Sequence, residues 1–227
     1  MEQHEQITID EYQTTAASFR DGTWNHDVSQ NRDALIAAMP RKPGKILDLG
    51  CGPGRDLVAF KDLGHIAIGL DGTPAFVEMA KQVSGCEVWQ QSFLNLDLPK
   101  QYFDGIFANA SLLHVPRGSM MKVLDDLFQA LVPGGAIMIS ICRGDSEGYV
   151  ARPTGHRFVA GWEYETLAPC LEKAGFQILH HYYRPPDAPP EAQFWLVMVA
   201  RRGEGERGRG GEGETGVGDK GEKENNH

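Results

Sequence analysis

A short apolar run, Lys45–Leu49 (KILDL), passes directly into Gly50-Cys51-Gly52-Pro53-Gly54. Beyond it, Leu57, Val58, Phe60 and Leu63 recur at helical spacing, and Gly64 follows as a C-terminal cap would. No other passage constrains the fold as strongly. Three glycines at alternate positions let the backbone turn tightly and let a ligand lie against bare main chain. The helix start beyond them offers unpaired N–H groups and the positive end of the helix dipole. In an open α/β sheet, a turn of this kind after the first strand is the switch point at which ligands bind.

The pattern continues as strand–helix units. Residues 66–70 (IAIGL) form a second strand, and Thr73-Pro74 opens a helix to about Val83, with an N-cap hydroxyl and proline in the first turn. Residues 87–91 make a weaker third strand and 105–108 a fourth. Met121, Leu124, Leu127, Phe128 and Leu131 mark a helix over 117–131, stopped by Pro133-Gly134-Gly135 before a fifth strand at 136–141. A helix over 162–174, a strand at 176–183, a proline-rich turn and a last strand at 194–200 follow. Short loops between such units imply parallel strands joined by right-handed crossovers. The expected fold is α/β: a doubly wound, mostly parallel seven-stranded Rossmann-like sheet with helices on both faces. The strand–turn–strand ending makes the last strand antiparallel, closing an edge. No internal repeat is present.

Three parts are expected: N-terminal helices over 1–44 acting as a lid, a core over 45–202, and a tail over 203–227. The tail holds 9 of the 27 glycines and one aliphatic residue, Val217, so it cannot bury enough apolar surface to order itself. It carries 7 acidic and 4 basic residues, and so about a third of the formal net charge of −9. No stretch approaches the ~18 apolar residues of a membrane span. The polar, acidic residues 1–13 read as neither a secretory signal nor a transit peptide, so no leader is expected. A pI near 5.3 without a basic run argues against nucleic acid as a partner. Cys51, Cys86, Cys142 and Cys170 are far apart, which suits free thiols in a cytoplasmic protein and no metal site. A monomer or weak homodimer is expected.

The loop reads GxGxG, with Arg55 where a dinucleotide-binding GxGxxG loop has its third glycine. Asp48 leads it from inside the strand end, an acceptor suited to an amine. Asp71 ends the second strand, where such folds bond the two ribose hydroxyls; an acid at a helix N-terminus is the plainer alternative. Acceptors for an amine and a ribose, with no dedicated phosphate clamp, describe an adenosyl amino acid better than a dinucleotide.

The segments ILDLGCGPGRD, GLDGTPAFVEMA, FDGIFANASLLHV and LVPGGAIMIS, in this order and spacing, resemble the class I S-adenosylmethionine-dependent methyltransferases. The resemblance covers roughly residues 10–200 and is strongest over 45–141. It implies that Asp48, Gly50, Cys51, Gly52, Gly54 and Arg55 frame the methionyl end of S-adenosyl-L-methionine. It further implies that Asp71 holds the ribose, with Gly72 and Thr73 beside the adenosine. Ser92 and Phe93 would flank the adenine, and Asn109 and Ala110 would face the amino group and methyl region. The sequence departs from the family at Ser92, where an acidic residue often accepts from the adenine amine; Gln91 and Asp97 are the alternatives nearby.

Methyl transfer needs the acceptor lone pair within about 3–3.5 Å of the methyl carbon, in line with the leaving sulfur. A general base is needed only if the acceptor holds its proton at neutral pH. His114, five residues past Asn109, is the candidate base; orienting the loop or capping the next helix is the alternative. The segment is not an (N/D)PPY motif, which the resemblance would link to methylation of planar amide or nucleobase nitrogens, and so nucleic-acid or glutamine acceptors are not expected. Arg143, Arg152, Arg157 and Arg184 fall where the acceptor pocket should open, and point to a carboxylate or other anion unless they are ordinary surface pairs. Tyr12 and Trp24, with Phe19, could close over the site from the N-terminal helices, or simply pack there. The expected function is methyl transfer to a small molecule. A nicotinamide-dependent oxidoreductase and a non-catalytic binding protein are the alternatives.

Overall fold

A computed structural model describes residues 2–203; the expected tail lies outside the described residues apart from Gly203. The helices are α1 (Gln3–Thr23), α2 (Ser29–Ala38), α3 (Arg55–Asp62), α4 (Pro74–Ser84), α5 (Arg117–Ala130) and α6 (Tyr164–Lys173). The strands are β1 (Lys45–Leu49), β2 (Ile66–Asp71), β3 (Glu87–Gln90), β4 (Phe103–Asn109), β5 (Leu131–Cys142), β6 (Glu147–Arg152), β7 (Gly155–Ala160), β8 (Phe176–Arg184) and β9 (Trp195–Arg202).

Seven strands form one sheet in the order β3-β2-β1-β4-β5-β9-β8, and β9 alone runs against its neighbours. Alternation along each strand feeds two cores. Leu47, Leu49, Ile137 and Ile139 face α5 and α6, meeting Leu124, Leu127, Leu167 and Leu171. Ile46, Ala136 and Met138 face the other way, toward Leu35, Leu57, Phe60 and Val77 of α2, α3 and α4. Each fully buried Leu or Phe contributes about 1.5–3 kcal/mol against leaving it in water. A sheet covered on both faces explains why its central strands read as unbroken apolar runs.

Four details differ from the sequence-based expectation. The last strand is not an edge: β9 lies between β5 and β8, with Leu196–Ala200 all buried, while β8 has half-exposed residues suited to an edge. Strand β5 begins at Leu131 and runs through Pro133-Gly134-Gly135, which fall where its pairing with β4 shifts register. Such an irregularity absorbs proline and glycine without ending the strand. The Thr73 hydroxyl makes no capping bond to α4; Asp71 Oδ1 accepts from the Thr73 N–H at 2.8 Å instead. Finally, β6 and β7 form a separate antiparallel ribbon that periodicity did not reveal, because its polar, glycine-containing strands are mostly exposed.

Candidate cofactor and acceptor site

Strand order reverses between β1 and β4, and a cavity of about 730 Å³ opens at their carboxyl ends. Gly50, Cys51, Gly52 and Pro53 form its floor. Gly50 has φ +76°, and a Cβ there would stand 2.3 Å from Ser111 Cβ, so the loop after β4 could not approach a larger residue. Gly54, at φ +92°, has its back to α4, where a Cβ would meet Ala80 Cα at 2.8 Å. It therefore provides the close packing that a third glycine provides in a dinucleotide loop, and it is absent from the cavity wall. Ala110 also lies in the left-handed region, at φ +57°, held by its N–H bond to Ser140 O at 2.9 Å. That conformation costs about 1–2 kcal/mol in a residue with a Cβ and turns the chain along the cavity.

Acidic groups sit beneath the floor. Asp71 accepts from Gly52 N at 3.0 Å and from Thr73 N at 2.8 Å, locking the loop to the end of β2. Burial pushes its carboxyl up, against the pull of these backbone bonds. Asp48 is fully buried and its Oδ2 has no partner among the described residues; burial and then the nearby Asp56 push it well above the usual carboxylate range. Burial likewise raises the Cys51 thiol, so it is an inert wall group. Arg55 lines the cavity, but donates to Thr23 O at 2.8 Å and to Asp56 at 2.6 Å, tying the end of α1 to the loop.

Helix α1 and the β6–β7 ribbon close the opposite side. Thr8 accepts from Phe158 N at 2.9 Å, and Glu11 pairs with Arg157 and accepts from Thr154 at 2.8 Å. Burial alone would raise the Glu11 carboxyl, but the bonds from Arg157 and Thr154 outweigh it and hold it low. The Arg157 guanidinium lies 3.8 Å over the Tyr12 ring, which also packs on Phe19 and Phe76. His114 contacts Phe158 O through Nδ1 at 2.7 Å and Tyr12 Oη through Nε2 at 2.9 Å. Only one tautomer satisfies both: Nδ1–H donates to the carbonyl, and Tyr12 donates to Nε2. Burial drives the His114 pKa to about 4 and the Tyr12 pKa to about 12.

Of the residues read from the sequence, Tyr12, Asp48, Gly50, Cys51, Gly52, Arg55, Asp71, Gly72, Thr73, Phe93, Asn109, Ala110, His114, Arg152, Arg157 and Arg184 line this cavity. Gly54, Trp24, Ser92 and Arg143 do not. Trp24 caps the end of α1, its N–H donating to Arg20 O. Ser92 is behind the wall, donating to Glu5 and accepting from Leu94 N. Arg143 faces elsewhere: it pairs with Glu163 at 3.0 Å, donates to Pro190 O and Gln193 O, and covers the Tyr183 ring. Its ion pair and carbonyl bonds make it a brace for the chain before β9. Sequence reasoning missed Asn31 of α2, which donates to Asn109 Oδ1 at 2.8 Å and accepts from Tyr182 and Arg184. It also missed Glu5, Glu11 and Thr154. None lies in a motif, so no local signal could have found them.

Among the described residues no cluster of His, Cys, Asp or Glu could hold a metal ion, and no helix is long and apolar enough to cross a membrane. Residues 46–135 match the family described as "Methyltransferase domain". A trans-aconitate 2-methyltransferase from Azoarcus sp. is 29% identical over 156 residues, 61% of each chain. A malonyl-[acyl-carrier protein] O-methyltransferase from Enterobacter lignolyticus is 27% identical over 53% of this chain and 49% of its own. The chain thus spans less than two thirds of these relatives. In fold it is similar to 1,6-didemethyltoxoflavin-N1-methyltransferase of Burkholderia thailandensis, solved with 1,6-didemethyltoxoflavin and S-adenosylhomocysteine. That similarity has TM-score 0.67 and 24% identity, over 87% of this chain and 88% of the other. The nicotinamide alternative is not favoured, since the matched family and these relatives are methyltransferases. With its glycine loop at the switch point of a seven-stranded sheet, the chain carries a match to a methyltransferase domain over residues 46–135 and has the fold of the class I S-adenosylmethionine-dependent methyltransferases, which it resembles.

Proposed function

We propose that this protein methylates a small, carboxylate-bearing molecule. The residues fit S-adenosylmethionine. Glu5, Asp48, Arg55 and Ser111, all on the cavity wall, each carry a buried polar atom without a hydrogen-bond partner among the described residues. A cavity that strands so many polar groups is built for a polar ligand. Asp48 would meet the ammonium of the methionyl part, the bare Gly50–Gly52 backbone would lie along it, and Asp71 would take the ribose hydroxyls. When bound, S-adenosylmethionine supplies a methyl group made electrophilic by its sulfonium sulfur.

One observation carries the choice of acceptor. Four arginines line the cavity, and three are committed: Arg55 to Asp56, Arg157 to Glu11, Arg184 to Asp27 O and Asn31. The Arg152 side chain makes no hydrogen bond or ion pair among the described residues, although its charge helps hold the Glu11 carboxyl low. It is exposed on the wall that His114 also lines, a guanidinium fork with no anion hydrogen-bonded to it among the described residues. Two relatives named above carry carboxylate acceptors in their names, trans-aconitate and malonyl.

A carboxylate also suits the rest of the wall. It is ionised at neutral pH, so the reaction requires no proton removal. His114 is buried and neutral, with both nitrogens engaged, and Tyr12 holds its proton. On this reading His114 orients Tyr12 rather than acting as a base. Arg152 binds and aims the carboxylate, and the aromatic wall of Tyr12, Phe19 and Phe76 excludes water. Catalysis is then positioning. The test is S-adenosylhomocysteine production across a panel of carboxylates, amines, phenols and thiols. Turnover confined to carboxylates, yielding base-labile methyl esters, is expected; turnover confined to neutral acceptors would overturn the reading.

A further inference from the structure

We propose that Glu5, on the N-terminal helix, is the residue that reads the adenine amine of the cofactor. The inference rests on the cofactor reading above and asks which group recognises the base. With the ribose at Asp71, the base extends over Gly72 toward the loop after β3, where Gln91, Phe93 and Leu94 line the cavity. Helix α1 roofs this end: Ile9 packs so closely on Gly72 that a Cβ there would stand 3.1 Å from Ile9 Cδ1. Adenine presents a donor, its exocyclic amine, and needs an acceptor at this end.

The loop itself offers none. The Ser92 proton goes to Glu5 and its oxygen already accepts from Leu94 N at 3.1 Å. Gln91 is locked to Asp97, accepting from its N–H at 2.9 Å and donating to its carbonyl at 3.1 Å. Asp97 is exposed and off the cavity wall. Glu5, by contrast, lines the cavity; one carboxylate oxygen is held by Ser92, and the other, Oε2, is buried with no partner among the described residues. A carboxylate oxygen left unsatisfied in a protein interior calls for a donor. The geometry therefore transfers the acceptor from the β3 loop to α1, with Ser92 as the residue that positions it.

The experiment is calorimetric titration of the full chain with S-adenosylhomocysteine and with S-inosylhomocysteine, in which a carbonyl replaces the amine. The wild type should prefer the adenosyl ligand by about 10- to 100-fold, the worth of a hydrogen bond to a charged group. Glu5→Ala should lose most of that preference through weaker adenosyl binding. Glu5→Gln, which keeps the side chain's shape, should narrow it as well, so the test survives if the alanine variant does not fold. An unchanged preference in folded Glu5→Gln and Glu5→Ala would overturn the role of Glu5 while leaving the cofactor reading intact. A wild type that binds neither ligand would overturn both.

Discussion

The Tyr12 hydroxyl donates to Nε2 of His114, 102 positions along the chain, at 2.9 Å, while Nδ1 of the same ring donates to Phe158 O. Helix, loop and ribbon are thus joined through one imidazole, and that imidazole has no nitrogen left for an acceptor. The proton of Tyr12 and the absence of one on Nε2 define the chemistry of this wall.

A stability signature follows. In the unfolded chain His114 titrates near 6.5, in the fold near 4. Below about pH 6.5 the unfolded state takes up a proton that the fold refuses, so stability falls as pH drops from 7 toward 4. The contribution is about 3 kcal/mol. Urea unfolding should show the wild type losing about that much relative to His114→Gln over this range. A pH-independent difference would rule out a buried neutral imidazole.

The rate should be indifferent to these groups. With a carboxylate acceptor, His114 at about 4 and Tyr12 at about 12, kcat/KM should be flat between about pH 6 and 9. A limb rising through pH 7 would restore His114, or another group, as a base.

The two arginines separate cleanly. Arg152→Ala should raise the acceptor KM by about tenfold or more with little effect on S-adenosylhomocysteine affinity. Arg143→Ala, which breaks the Glu163 pair and the carbonyl bonds before β9, should lower the thermal midpoint and leave the acceptor KM unchanged. Equal effects of both on KM would remove the special place given to Arg152.

Asp48 is a cost to the empty protein. Its carboxyl titrates higher in the fold than in the unfolded chain, so the stability it contributes is present at low pH and lost as pH rises through the folded value. Asp48→Asn should raise the melting temperature of the ligand-free protein at pH 8 and weaken S-adenosylhomocysteine by about tenfold. Calorimetry and a thermal melt on the same sample test both halves; a less stable variant with undiminished affinity would contradict both.

Asp71→Ala should weaken S-adenosylhomocysteine binding by about 1.5–3 kcal/mol. The structure adds a reason beyond the ribose, because Asp71 also holds Gly52 N and Thr73 N. Titration should therefore show loss of enthalpy together with a lower thermal midpoint; unchanged affinity would exclude Asp71 from the site.

The sequence by itself determined the βαβ frame. Runs such as KILDL and AIMISI are buried on both faces, and the backbone at φ +76° and +92°, as at Gly50 and Gly54, is adopted cheaply only by glycine. Those signals are local, set by side-chain periodicity and backbone sterics. It determined the floor of the site for the same reason, because Asp48 to Gly52 and Asp71 to Thr73 are contiguous segments at strand ends. The antiparallel last strand was legible, but its place inside the sheet between β5 and β8 was not, because order within a sheet depends on which strand is buried on both faces. The walls were decided only by tertiary structure. Glu5 reaches Ser92 across 87 positions and Glu11 reaches Arg157 across 146. Arg143 and Arg152, alike as isolated residues, parted because one is ion-paired to Glu163 away from the cavity and the other stands on the cavity wall with no side-chain hydrogen bond or ion pair among the described residues. A charge has no role until the fold decides what stands opposite it.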